Sequence, residues 1–322
     1  MRTAATLHVR VVRKTTEAQD IVSLELMDAD GQALPAFTAG SHVDVHLPGG
    51  ITRQYSLCND PRDTHRYQIA VLRDNASRGG SVAVHDQIRQ GDTLTISAPR
   101  NHFALAPQSH RHLLLTGGIG VTPLLCMAEE LARTGADFEM HYATRSPQRT
   151  AFRQRIAASA FAARVHFHHD DGNAAQKLNL SALLCKPEPD THIYVCGPRG
   201  FMDAALATAR NAGWHEAQLH YEFFGAESAK SDSDAGFEIQ LASSGRVIMV
   251  PRDQTVVQAL AAFGVDIMVS CEQGLCGTCL TRVIEGVPDH RDSFLTQEEQ
   301  AANDQFTPCC SRSRSPKLVL DL

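Results

Sequence analysis

The sequence predicts a multidomain protein of mixed α+β and α/β class: a β-rich unit, a parallel-sheet α/β domain and a small C-terminal domain, in that order. Three observations predict it. Short alternating strands recur at regular spacing through residues 1–106. From about Pro107, continuous apolar strands alternate with helical periods. Five of the nine cysteines fall in the last fifth of the 322 residues. A prior of roughly 100–200 residues per domain allows two or three domains for this length.

Composition narrows the class. Hydrophobic residues make up 43% and charged residues 20%, which excludes wholesale disorder. No run approaches the roughly 18 apolar residues of a membrane helix, so no membrane role is expected. The opening MRTAATLHVRVVRK alternates and lacks the apolar core of an export signal, so a cytoplasmic location is expected. A net charge of −6 without a long basic run argues against nucleic acid.

In the β-rich unit, VDVHL (43–47) alternates, Pro48-Gly49-Gly50 turns the chain, and TRQYSL (52–57) resumes a strand. YQIAVL (67–72) and TLTISA (93–98) follow, the latter after a Gly91-Asp92 turn. Such spacing suits a closed barrel or a sandwich.

In the α/β domain, HLLLTGG (112–118) is a run suited to a strand buried on both faces. TPLLCMAEELART (122–134) then has helical period, with Thr122 as expected N-cap and Pro123 at the first helical position. FEMHYAT (138–144), an Arg- and Ala-rich helix over 148–160, VHFHH (165–169), HIYVC (192–196) and a helix over 200–211 stopped by Gly213 complete it.

GAESAKSDSDAG (225–236) is polar and aperiodic, and is expected to be a linker. FEIQLASSGRVIMVP (237–251) has the pattern of a hairpin turned at Ser243-Ser244-Gly245, and TVVQALAAFG (255–264) that of a short helix.

Cys271, Cys276 and Cys279 read C-x4-C-x2-C, and Cys309 follows after about thirty residues. This is the spacing of plant-type 2Fe-2S ligation. Three thiolates of one tight loop wrap one side of a small cluster and a distant fourth closes it. Gly274 and Gly277 let the loop curl so that N–H groups face sulfur. A structural zinc site more often shows paired C-x2-C units. Cys310 is expected to point away from the cluster, because neighbouring side chains diverge.

TGGIGVTP (116–123) joins a buried strand to a helix. Gly117, Gly118 and Gly120 would let a pyrophosphate approach the helix N-terminus. The loop alone fits a structural strand–turn–helix equally well, and no acidic residue stands about 20 residues on, where Thr144-Arg145-Ser146 occurs instead. CGPRGFM (196–202) is a second glycine-bearing strand end, and the pair suggests a dinucleotide crevice. RQYS (53–56) offers a guanidinium, an aromatic ring and a hydroxyl, and SRGGS (77–81) a glycine loop with exposed N–H groups. Each is also compatible with an ordinary strand or loop.

Taken in order, R-x-Y-S, R-G-G-S, G-G-I-G-V-T-P, C-G-P and the terminal C-x4-C-x2-C…C resemble the phthalate dioxygenase reductase family over about residues 7–322. The resemblance implies an antiparallel β-barrel flavin domain (1–106), a parallel-sheet NAD-binding domain (107–224), the linker (225–236) and a β-grasp plant-type ferredoxin domain (237–322). It implies that Arg53, Gln54, Tyr55, Ser56 and Val71 contact FMN, that Gly79, Gly80 and Ser81 hold its phosphate, and that Phe224 lies against its ring. Gly117, Gly118, Gly120, Thr122, Pro123, Arg145 and Ser146 would line the NADH site. Cys196, Gly197 and Pro198 would stand near the nicotinamide, and Asp170 and Asp171 near the adenosine. Cys196, Phe224 and Ser56 would form the hydride-transfer centre. Cys271, Cys276, Cys279 and Cys309 would ligate the cluster, Cys309 being chosen because it opens Cys-x-Ser-Arg (309–312).

The implied activity is electron transfer from NADH through FMN and the 2Fe-2S cluster to a Rieske-type oxygenase that hydroxylates or O-demethylates aromatic compounds, by a monomer. Residues 236–322 carry 11 acidic and 7 basic side chains, which either steers a basic partner or is solvated surface. Two rivals remain. One is a reductase for another acceptor, a di-iron monooxygenase or cytochrome P450. The other is a zinc-stabilised interaction protein.

Overall fold

Alternation in the first third of the chain becomes antiparallel strands. β1 (Thr6–Ala18) and β2 (Ile21–Asp28) form a hairpin around Asp20, which takes a left-handed φ of 63°. β3 (Ser41–Leu47), β4 (Ile51–Ser56) and β5 (Tyr67–Leu72) follow, then α1 (Gly80–Asp86), β6 (Thr93–Ser97) and the short β7 (Arg100–Asn101). The order is β4-β3-β6-β1-β2-β5, with β7 on β3. The order begins on β4 and ends on β5, and the Cys58 N–H after β4 donates to the Gln68 carbonyl of β5 at 2.9 Å. That closes the sheet into a barrel around Val9, Val11, Leu24, Val43, Ile69 and Ile96, all buried.

The computed structural model describes residues 6–74, 79–107, 109–224, 234–269, 272, 274 and 277–322. It divides into two units, Met1–Glu222 and Phe223–Leu322.

The first unit continues with β8 (Arg111–Gly117), α2 (Val121–Thr134), β9 (Asp137–Thr144), α3 (Arg153–Ala157), β10 (Val165–His169), α4 (Leu180–Leu184), β11 (Thr191–Cys196), α5 (Arg199–Ala212) and β12 (Leu219–Glu222). These strands make a parallel sheet in the order β10-β9-β8-β11-β12.

Three expectations change. α2 starts at Val121 with Gly120 as N-cap, not at Thr122, because a 3-10 turn over Gly118–Gly120 already winds the chain. The Thr122 hydroxyl instead donates to the Ile119 carbonyl at 3.1 Å. The helix expected over 148–160 shrinks to α3, since Phe152 adopts a left-handed φ of 59° that no regular helix accepts. Of the glycine loop expected at 77–81, residues 77 and 78 lie outside the described residues, and the rest begins a helix: Gly79, at φ +83°, precedes α1.

The second unit holds β13 (Phe237–Leu241), β14 (Val247–Val250), α6 (Val256–Ala262), β15 (Thr281–Glu285), β16 (Pro288–Asp289), α7 (Gln297–Ala302), β17 (Gln305–Phe306), β18 (Arg312–Ser313) and β19 (Lys317–Leu320). Its sheet order is β14-β13-β19-β15-β17, with β13 and β19 parallel and the hairpin antiparallel. α6 is capped by Thr255 and Gln258 in a reciprocal pair, and buries Val256, Ala259 and Leu260 among Phe237, Ile239, Leu318 and Leu320. This is the expected β-grasp arrangement of a ferredoxin domain. Most of the expected linker, 225–233, lies outside the described residues. Among the described residues no helix is long and apolar enough to cross a membrane.

Candidate functional site

β8 and β11 are neighbours at the centre of the parallel sheet, and strand order runs outward from them in opposite directions. In such sheets ligands bind outside the carboxyl ends of the strands at this switch point. The two ends touch backbone to backbone. A Cβ on Gly120 would lie 2.2 Å from the Cys196 carbonyl oxygen, and one on Gly197 would lie 2.9 Å from Gly117 Cα. A Cβ on Gly117 would lie 2.8 Å from Pro198. Gly118 differs: its φ is +53°, and a Cβ there would meet nothing within 4 Å. The sequence offered one role for all three glycines of the loop. The structure leaves open space at Gly118 and packs Gly117 and Gly120 against the second strand end.

The contrast is measurable. Gly120→Ala forces a methyl into backbone and is expected to cost about 2 kcal/mol. Gly118→Ala pays only the left-handed backbone term, about 1 kcal/mol, and should weaken nucleotide binding more than it lowers the melting temperature. Thermal melts and nucleotide titrations of the two variants check this; equal stability losses would contradict it.

A cavity of about 470 Å³ opens at this edge. Its sheet side is lined by Gly117, Gly118, Ile119, Thr144, Arg145, Arg149, Asp170, Pro198 and Phe201, its barrel side by Gln19, Ile21, Leu72, Arg73 and Asp74. Of the expected nucleotide residues, Gly117, Gly118, Arg145, Asp170 and Pro198 are thus brought together. Gly120, Thr122 and Pro123 are buried at the start of α2, behind the wall. Ser146 takes up its carbonyl with the Thr144 and Thr150 hydroxyls, and the exposed Asp171 donates its N–H to the Arg145 carbonyl at 3.2 Å. Phe201, although inside the CGPRGFM segment, was given no role, and Arg149 and Arg73 belong to no motif.

A second grouping joins barrel to sheet. The Ser56 hydroxyl donates to Glu222 Oε2 at 3.1 Å. Glu222 pairs in register with Cys196 across β11 and β12. Glu222 is half-exposed as a residue, but its carboxyl is desolvated, which pushes it up to about 7 while the Ser56 hydrogen bond pulls it back. Cys196 is fully buried; burial first, then the Glu222 charge, pushes its thiol well up. Ser56 and Cys196 were singled out in the sequence, whereas Glu222 was not. A lone acid closing a strand carries no motif, and its burial is a tertiary fact.

In the barrel, Arg53 is buried and packs on Gly80, where a Cβ would lie 2.7 Å from Arg53 Cγ. Its guanidinium donates to the Thr52 carbonyl at 2.7 Å. Tyr55 shares the Arg53 face by strand alternation, and burial pushes its phenol up. Gln54 faces the other way, donating to Asp44 Oδ1 at 2.9 Å. Val71 is buried in β5, and its carbonyl meets His85 Nε2 at 3.0 Å. The Ser81 hydroxyl donates to the Asp74 carbonyl at 3.2 Å. Phe224 is half-buried and falls in the second unit.

In the second unit, Cys279 and Cys309 are buried, and the Cys309 thiol meets those of Cys279 and Cys310. That crowding, with burial, pushes it far up. Thiols packed this way ionise together only around a cation, which fits an iron–sulfur donor set. A Cβ on Gly277 would lie 2.3 Å from the Phe294 ring, so the loop closes only with glycine there. Cys271 and Cys276 lie outside the described residues. Cys310 does not point away as expected: its Sγ comes 2.4 Å from where Gly274 would carry a Cβ. The turn closed by the Ser311 N–H on the Thr307 carbonyl keeps successive side chains from opposing each other.

Comparison with known proteins adds to this geometry. A 2Fe-2S iron–sulfur cluster binding domain model matches residues 239–314. The model of the N-terminal domain of dimethylamine monooxygenase subunit DmmA-like proteins matches residues 95–219. The vanillate O-demethylase oxidoreductase of Pseudomonas putida is 55% identical over 97% of this chain and 98% of its own length. A solved phthalate dioxygenase reductase, described as a modular structure for electron transfer from pyridine nucleotides to a 2Fe-2S centre, superposes with a TM-score of 0.81 at 37% identity, over 99% of this chain and 98% of that one. An intact type IV self-sufficient cytochrome P450 monooxygenase matches 98% of this chain with 41% of its own length, at a TM-score of 0.79 and 39% identity. With a barrel and a parallel sheet sharing one nucleotide-sized cavity, a C-terminal β-grasp domain of 2Fe-2S type, and full-length relatives of this identity, the chain belongs to the phthalate dioxygenase reductase family of oxidoreductases.

Proposed function

We propose that the chain takes a hydride from NADH, bound beside FMN, and delivers the electrons singly through a 2Fe-2S cluster to a Rieske-type aromatic oxygenase, acting as a monomer. The observation that carries this reading is the cavity lined jointly by the barrel and the carboxyl edge of the sheet. When bound, FMN converts a two-electron donor into single-electron steps and the cluster relays them.

The chain's part is to bind, orient and exclude water. Gly118 presents open backbone to a pyrophosphate, Arg145 offers it positive charge, and Asp170 accepts from a ribose hydroxyl. Arg53, Gly79, Gly80 and Ser81 hold the FMN phosphate, with Tyr55 against the flat ligand. Ser56, held by Glu222, offers a hydroxyl where nicotinamide and flavin meet, and buried Cys196 walls that point from water. Cys271, Cys276, Cys279 and Cys309 ligate the cluster, and no general base is demanded.

A haem monooxygenase as acceptor is the second reading, supported by the likeness to part of a cytochrome P450 monooxygenase. Reconstitution decides between them: transfer to a purified Rieske oxygenase should outpace transfer to a P450. The core reading predicts a brown protein with about two irons per chain, bleached by NADH. A colourless, zinc-only protein from anaerobic purification would overturn it.

A further inference from the structure

The segment DHRDSFL (289–295) supplies no cysteine, yet it touches both parts of the cysteine site. On one side it backs the three-cysteine loop. The Ser293 N–H donates to the Gly274 carbonyl at 3.0 Å. A Cβ on Gly274 would lie 2.9 Å from Asp292 Cβ, and one on Gly277 would lie 2.3 Å from the Phe294 ring. On the other side it meets the stretch that carries Cys309. β16 pairs with β18, and the Arg291 N–H donates to Ser311 Oγ at 3.1 Å. The Ser311 hydroxyl in turn donates to Asp292 Oδ1 at 3.4 Å.

The two sets of contacts meet at Asp292. Its side chain is fully buried. Its Oδ2 accepts the N–H groups of Phe294 at 3.2 Å and Leu295 at 2.8 Å, which closes the turn before α7. Among the described residues no lysine or arginine pairs with it, because the neighbouring Arg291 turns to Asp234 and Asp289. His290 Nδ1 stands 3.6 Å from Oδ1, beyond a hydrogen bond.

An acid buried with no guanidinium or ammonium beside it is costly. Its hydrogen bonds do not demand one. An asparagine would accept the same two N–H groups on its oxygen, and its NH2 group would donate to Ser311 Oγ. What asparagine lacks is the negative charge. An iron–sulfur cluster held by four thiolates is itself negative, and reduction adds one more electron to it. A carboxylate buried beside such a site disfavours that step.

Given the cluster of the proposed function, we infer that Asp292 is its positioning residue: it ties the Cys309 segment to the cysteine loop through Ser311 and Gly274, and its charge lowers the potential at which the cluster takes an electron. A lower potential makes the reduced cluster a stronger donor to its acceptor protein.

The test uses the full-length holoprotein and reads the cluster's midpoint potential by spectroelectrochemistry. Asp292→Asn is expected to keep its iron and visible spectrum and to be reduced about tenfold more readily, a rise of about 59 mV for one electron. A merely structural role would leave the midpoint in place. Ser311→Ala keeps the charge and cuts the tie. It should lose iron to a chelator roughly fivefold faster than the wild type, with no rise in midpoint. This second variant tests the tie whether or not Asp292→Asn assembles a cluster. A midpoint in Asp292→Asn equal to or below that of the wild type, or iron release from Ser311→Ala at the wild-type rate, would overturn the assignment. A wild type that carries no iron would instead overturn the cluster reading beneath it.

Discussion

Cys309→Ser is expected to leave NADH-driven bleaching of the flavin at the wild-type rate and to abolish reduction of a one-electron protein acceptor such as cytochrome c. The argument begins with burial. Cys279 and Cys309 are 3% and 4% exposed and their thiols meet, so loss of one removes a closing ligand from a site that water does not reach. A serine hydroxyl ionises far less readily than a thiol and is a poor partner for iron, so the variant should be purified with its iron lost and its flavin retained. In the proposed reading the crevice, Ser56 and Cys196 all belong to the first unit, which has its own strands and buried core. Cys310→Ser is the informative companion. The Cys310 sulfur already meets the Thr307 hydroxyl at 3.3 Å, and a hydroxyl there keeps that contact, so this variant should hold its iron. Stopped-flow flavin reduction, cytochrome c turnover and iron analysis read all three outcomes. Iron retained in Cys309→Ser but lost in Cys310→Ser would reverse the assignment of the fourth ligand.

What was legible in the sequence had a short-range physical cause. β3 to β6 were visible because alternation and turn glycines act within a few residues, and β8 and β11 because a strand covered on both faces must be apolar throughout. α6 was visible as the short helical pattern of TVVQALAAFG with its glycine stop, whereas its Thr255–Gln258 cap was found only in the structure. The β1–β2 hairpin was harder to see, because register shifts between Val11 and Arg13 and between Thr16 and Ala18 break its alternation. α1 was missed because GSVAVHD is short and valine-rich, and only the start set by Gly79 makes it helical. At the site, cysteine spacing and glycine loops were visible, but the division of labour among the glycines was not. Gly118 and Gly120 differ in backbone conformation, left-handed against right-handed, and in what the rest of the fold puts beside them, open space in one case and the Cys196 carbonyl in the other. The stack of His141 on His166 and His168 shows the same limit. VHFHH signals a strand, and the stacking partner His141 comes from the neighbouring strand.

Glu222→Gln is expected to stabilise the first unit most above neutral pH and to leave it nearly unchanged only below the ordinary carboxyl value of 4.5. The carboxyl of Glu222 is shifted from its ordinary 4.5 up to about 7 because burial desolvates it, while the hydrogen bond from the Ser56 hydroxyl pulls it back. Between those two pH values the folded chain keeps a proton that the unfolded chain has lost. Stability therefore falls as pH rises through that window and stays lowered above it. The full penalty above neutrality is up to about 3 kcal/mol, and glutamine, of the same shape and with an oxygen still able to accept from Ser56, removes it. The first unit's own melting transition should then lie several degrees higher in the variant at pH 8.5, and the gap should shrink by more than half by pH 5.5 and close only below the ordinary value of 4.5. A gap of equal size at both pH values would mean that the carboxyl does not titrate in this range. The same substitution tests why an acid is tolerated there at all. If a neutral carboxyl is what the crevice uses to hold Ser56, the variant should keep its flavin-reduction rate at pH 8.5, where the wild type, with Glu222 ionised beside Cys196, should slow.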